Sequence, residues 1–204
     1  MDEFKIEKDG FEIVHNFMSD DDALAYRSMA TREHLTRALP YDTGNKLQMP
    51  VTKFPEPVNE ALNALFFRVA CKRHEVLYPE KDMKECKTIF DQRRYWCRFM
   101  WYGWINEDEV MAILFLTQPG VDYEGGLRIL NKDGSETNID SYCNMGDLAI
   151  VKGGIPHYVK ININKPLLHG RLTFFVNYAP NSDGGKQFSS LEEAREYATN
   201  NNRI

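Results

Sequence analysis

Two textures divide the chain near residue 90. Before it, apolar positions recur mainly at helical spacing; after it they come in short runs broken by glycine and proline. Phe11–Val14 alternates like a short strand. Ser19 or Asp20 is placed to cap a helix through Ala23–Ala30. Asp21 and Asp22 suit its first turn, where negative charge meets unpaired backbone N–H groups. Pro57 opens a second helical stretch in which Leu62, Leu65, Phe66 and Val69 recur every three or four residues, with Pro79 beyond its end.

From Tyr95 the pattern predicts strands. Arg98–Trp104 is aromatic-rich, and Val110–Leu116 is an unbroken apolar run of the kind buried on both faces. Gly126–Leu130 follows, then the turn Asn131–Gly134 and a return strand near Thr137–Asp140. Asp147–Val151, His157–Ile163 and Arg171–Tyr178 complete the set. Seven or eight short antiparallel strands imply a sandwich or barrel. Ser190 and Glu193 form a capping box for a last helix, Leu191–Thr199.

At 204 residues with 43% apolar content, the chain is expected to fold as one domain. It divides into a helical and loop part to about residue 90, a β core over about 91–180, and a C-terminal helix and tail. No apolar run approaches the ~20 residues that span a bilayer. The N-terminus, MDEFKIEKDG, is charged throughout, unlike a secretory signal. Cys71, Cys86, Cys97 and Cys143 lack C-x-x-C spacing, which reads as reduced thiols in a cytoplasmic protein. A net charge of −5 without a basic block argues against a nucleic-acid partner.

The chemistry-bearing residues fall in the β half. Gly146-Asp147 opens the strand LAIV, the turn KGGIP follows, and His157 stands at the next strand mouth. Arg171 begins an otherwise apolar strand and shares a face with Thr173. A buried guanidinium needs a counter-charge. No carboxylate nearby in sequence is an obvious candidate, which leaves either a ligand carboxylate or an interior Asp or Glu. The glycines of EGG, residues 124–126, read as a turn using positive φ. Asp147 reads as a turn organiser.

In order, DYEGGLRIL, GD-then-His and Gly-Arg-x-Thr resemble the iron(II)/2-oxoglutarate-dependent oxygenases, in particular their prolyl-hydroxylase-like and phytanoyl-hydroxylase-like branches. The resemblance covers roughly Tyr95–Pro180, and DGFEIVHNFMSDDDA is similar to that group's N-terminal lead-in. It implies a double-stranded β-helix core (jelly-roll, cupin-like) with N-terminal helices on one sheet. It further implies His157 as the distal iron ligand, Arg171 on the far carboxylate of 2-oxoglutarate, Thr173 assisting, and Tyr102 or Tyr95 at the same carboxylate.

The family's remaining ligands, His-x-Asp or His-x-Glu, belong just before VMAILFL. There the sequence reads GWINEDE, without histidine. One alignment keeps Asp108 as the carboxylate and sets Asn106 in the histidine's place; another, through Trp104-Ile105-Asn106, loses both. His15, His34, His74 and His169 are the other imidazoles, and none is placed at the site by sequence.

The expectation is therefore an oxygenase with an atypical metal site: iron(II) on His157, Asp108 and Asn106, and a small-molecule or amino-acid-like substrate, hydroxylated. The competing readings are a metal-independent enzyme using Asp108 and His157 for proton transfer, and a carboxylate-binding protein without catalysis.

Overall fold

The computed structural model describes residues 4–37, 46–50, 64, 68–69, 72–73, 75–77, 87–93, 101–103, 110–162, 170–178, 186–188 and 190–200. Among them the chain is mainly β. A short helix α1 (Ile6–Asp9) leads into β1 (Phe11–Val14), and α2 follows over Asp20–Arg37. Strands β2 (Lys46–Pro50), β3 (Lys87–Arg93), β4 (Trp101–Gly103), β5 (Val110–Phe115) and β6 (Glu124–Leu130) come next. Then come β7 (Glu136–Asn138), a 3-10 turn (Ile139–Tyr142), β8 (Leu148–Lys152), β9 (His157–Asn162), β10 (Arg171–Tyr178), β11 (Lys186–Phe188) and α3 (Leu191–Asn200).

The strands form two antiparallel sheets, as in a jelly roll. The first has the order β1-β8-β5-β10-β3-β2 and the second β11-β4-β9-β6-β7. The unbroken apolar run of β5 is explained by its position. Met111, Ile113 and Phe115, with Ala149 and Val151 of neighbouring β8, face the second sheet and pack with its Leu127 and Ile129. Ala112 and Leu114 face the other way, toward Met18 and Ala23 of the helical layer. Both sides are therefore buried, so strand alternation has no polar face to show.

Helix α2 starts where the acidic run predicts. Ser19 caps it: its Oγ accepts the Asp22 N–H at 3.2 Å and donates to the Asp22 carboxylate at 2.7 Å. The helix extends to Arg37, beyond the expected Ala30. Tyr26 meets Phe174 edge-on, with centroids 6.1 Å apart. The Pro57 stretch is helical at the described positions between Ala64 and Leu77, and Val69 and Leu77 pack on the same outer face of the first sheet. Ser190 caps α3 through its Oγ and the Glu193 N–H at 3.1 Å.

Three expectations need correction. The first ninety residues also supply β2 and β3, which complete the first sheet beyond β10. Their charged ends and short apolar stretches carry little alternation, and pairing with β10 overrides that weak local signal. The return strand stops at Asn138 and the chain turns over Ile139–Tyr142. The glycines of EGG lie inside β6 rather than in a turn. No helix among the described residues is long and apolar enough to cross a membrane.

Candidate active site between the sheets

Arg171 opens β10 on the face toward the second sheet, with 3% of its surface exposed. Its partner is an interior carboxylate. Nε donates to Asp140 Oδ2 at 2.6 Å and Nη2 to Oδ1 at 3.2 Å, a two-pronged pair with a fully buried Asp140. Nη1 lies 3.5 Å from Thr173 Oγ1, and the guanidinium stacks 5.2 Å over the Phe115 ring.

Each Asp140 oxygen accepts a second donor. Leu127 N–H reaches Oδ1 at 2.9 Å and the Tyr123 hydroxyl reaches Oδ2 at 2.6 Å. Burial, with the adjacent Asp140 charge, pushes the Tyr123 phenol well above its usual pKa, so it stays a donor. One carboxylate thus ties β10 of the first sheet to β6 of the second. Two features put Asp140 there. The 3-10 turn carries it inward, and Gly126, at φ 140°, leaves the room. A Cβ on Gly126 would stand 2.3 Å from Asp140 Cβ. At Gly125 a Cβ would meet the Lys160 carbonyl oxygen at 2.1 Å. The glycines serve close approach across β6 as well as positive φ.

His157 begins β9, buried and opposite Ile129 in register. Ile129 and Val159 both pack between the sheets, so His157 faces the same interior as Arg171. Its Nδ1 lies 3.0 Å from the Ile155 carbonyl oxygen. A carbonyl oxygen only accepts, so Nδ1 carries the proton, and in the neutral ring Nε2 carries the lone pair. Along β6, Ile129 lies two residues from Leu127, whose N–H meets Asp140. His157 and the ion pair are therefore separated by about 7 Å along the strand.

Tyr102 is placed by its backbone, as the register partner of His157 on β4. Asn106 and Asp108 lie outside the described residues, as do Tyr95, His74 and His169. His34 lies in α2. His15 lies at the other end of the sheets: its Nδ1 is 2.9 Å from Asp147 Oδ2, just before β8. Asp147 also accepts the N–H groups of Asn16 at 2.9 Å and Asn144 at 2.8 Å, the turn-organising role its position after Gly146 suggests.

A metal ion needs several converging donors. Among the described residues, no group of three His, Cys, Asp or Glu is arranged to hold one. His157 fits a metal ligand, because a ligating imidazole normally donates its other N–H to a carbonyl or carboxylate. Arg171 does not fit a two-pronged clamp for a ligand carboxylate on its Nε edge, because Asp140 holds that edge. Sequence reading left an interior Asp open as the partner but did not single out Asp140. Its one signal was an acidic residue directly after apolar Ile139, in a chain whose buried arginine needed a counter-charge.

Several solved structures superpose on this chain. A prolyl-4-hydroxylase from Pseudomonas putida superposes with a TM-score of 0.65 at 16% identity, covering 86% of this chain and 95% of that one. HygX from Streptomyces hygroscopicus, with nickel, 2-oxoglutarate and hygromycin B bound, gives 0.67 at 12% identity over 86% and 85% of the two chains. The non-heme alpha ketoglutarate dependent epimerase SnoN from nogalamycin biosynthesis gives 0.62 at 12% over 85% and 79%. This chain shares their fold. The likeness to 2-oxoglutarate-dependent oxygenases read from the motifs is thus matched in three dimensions. No protein-family model and no curated protein matches the sequence.

Proposed function

We propose that the protein is an iron(II)-dependent oxygenase using a 2-oxo acid, with 2-oxoglutarate the first expectation, to hydroxylate a small-molecule or amino-acid-like substrate. The observation that supports this reading is the Ile155 carbonyl at His157 Nδ1, the partner a ligating imidazole normally has for its other nitrogen, on the inter-sheet face of this fold. The topology supports a double-stranded β-helix: in chain order β3 to β10 pass between the two sheets, first, second, first, second, second, first, second, first.

Asp108 is the proposed carboxylate ligand, with Asn106 in the place of the absent histidine. Strand β4 ends at Gly103, one residue past the register partner of His157, and both residues follow it within five positions of sequence. Iron(II) held there would supply the chemistry of O₂ activation. Thr173 and Tyr102 are assigned to the other end of the co-substrate, together with whatever Arg171 offers beyond its Asp140 pair.

Anaerobic titration with cobalt(II), read by its visible absorption, tests the reading. Binding is expected in the full chain, lost in His157→Ala and tightened tenfold or more in Asn106→His. Equal binding by the chain and by His157→Ala would overturn it.

A further inference from the structure

The carboxylate on Arg171 changes what the pocket can accept. The guanidinium carries one positive charge, Asp140 carries one negative charge, and both are buried. A monocarboxylate 2-oxo acid with an apolar tail adds no charge at this depth. A dicarboxylate would bring a second carboxylate to an arginine whose Nε and Nη2 hydrogens already point at Asp140. Two carboxylates would then share one cation and repel each other where water screens little. Among the described residues, the other groups that meet Asp140 are neutral donors, from Tyr123 and Leu127. The Phe115 ring beside the guanidinium suits an apolar tail as well as the cation.

Resting on the oxo-acid reading above, we infer that Asp140 is a resident counter-ion that sets co-substrate choice. It removes the usual advantage of a charged tail, so that this pocket takes a neutral-tailed 2-oxo acid at least as readily as 2-oxoglutarate. Asp140 is in this sense a specificity-determining residue, and Gly126, which makes room for it, is its structural companion.

The test is calorimetric titration of the full chain, loaded with nickel(II) to prevent turnover, with 2-oxoglutarate and with 2-oxopentanoate. The second acid has the same five-carbon chain without the far carboxylate. In the natural chain 2-oxoglutarate is expected to bind no tighter than 2-oxopentanoate. In Asp140→Asn, which keeps an acceptor for Arg171 but removes the charge, 2-oxoglutarate should gain tenfold or more and 2-oxopentanoate should stay unchanged. A tenfold preference of the natural chain for 2-oxoglutarate would overturn the inference, and that comparison stands even if the variant does not fold. Equal weakening of both acids in Asp140→Asn would also overturn it, leaving Asp140 a structural role only. Binding of neither acid to the nickel-loaded chain would remove the oxo-acid reading itself, and this inference with it.

Discussion

Arg171 of the first sheet and Asp140 of the 3-10 turn form a two-pronged ion pair, with Nε to Oδ2 at 2.6 Å, and both side chains are almost wholly inaccessible to solvent. The pair joins the two sheets at one point. Asp140 also holds the β6 backbone through Leu127 and the Tyr123 hydroxyl. All four acceptor positions used on its two oxygens are filled by protein donors, which offsets much of the cost of taking both charges out of water.

Removing one partner should therefore cost far more than removing both. Asp140→Ala or Arg171→Ala leaves a buried charge unpaired, and each is expected to lower unfolding free energy by about 3–5 kcal/mol. Replacing both with apolar residues of similar volume, Asp140→Leu with Arg171→Met, should recover much of that loss. Urea denaturation of the three variants measures it; additive losses in the double variant would show that the pair is not coupled.

Gly126→Ala should resemble Asp140→Ala. The new methyl group would stand 2.3 Å from Asp140 Cβ and 2.4 Å from its Cγ, at a backbone φ of 140° that alanine rarely adopts. Either strain or displacement of Asp140 follows, and a loss of about 3 kcal/mol or more is expected. Gly120→Ala is the control, since its Cβ would meet nothing within 4 Å and only the φ of 78° opposes it. Thermal unfolding of the two variants should separate them clearly.

The difference between these glycines marks where sequence reading stops. Strand β10 was legible to the residue, because Arg171–Tyr178 is a long apolar run with clear ends. The run in β5 and the caps at Ser19 and Ser190 were legible for similar local reasons. Strands β2 and β3 were not, since their places come from pairing with distant β10. The site divides the same way. His157 is identified by its neighbours Gly153–Pro156, which build the turn before it. Asp140 reaches Arg171 across 31 positions of sequence, and no local pattern announces such a contact.

The alkaline titration of the tyrosines offers a further check. Burial, then the hydrogen bond to Glu136, pushes Tyr158 up to about 12, and Tyr123 is raised as well. An unfolded tyrosine ionises near 10. The folded pKa lies above the unfolded one, so the stabilisation is complete below pH about 10 and declines as pH rises from about 10 toward 12. Near-UV difference absorbance should show these phenols ionising only with unfolding or near that upper limit. Tyr158→Phe should make the stability loss across this window shallower; an unchanged slope would count against the assignment to Tyr158.

The two histidines beside carbonyl and carboxylate partners should respond oppositely to metal. His157 lies on the inter-sheet face, with Nδ1 committed to Ile155. His15 is paired with Asp147 at the far end of the sheets and helps tie β1 to the turn before β8. A divalent ion that binds only the folded chain raises its stability by RT ln(1 + [L]/Kd), about 2.7 kcal/mol at a hundredfold excess over Kd. That gain should appear as a higher melting temperature with cobalt(II), reversed by chelator. It should vanish in His157→Ala, whose own cost in the absence of metal is about 1 kcal/mol for the lost hydrogen bond. His15→Ala should be less stable without metal yet keep the full metal-dependent gain. If His15→Ala loses the gain and His157→Ala keeps it, the metal lies at the wrong end of the sheets for the proposed site.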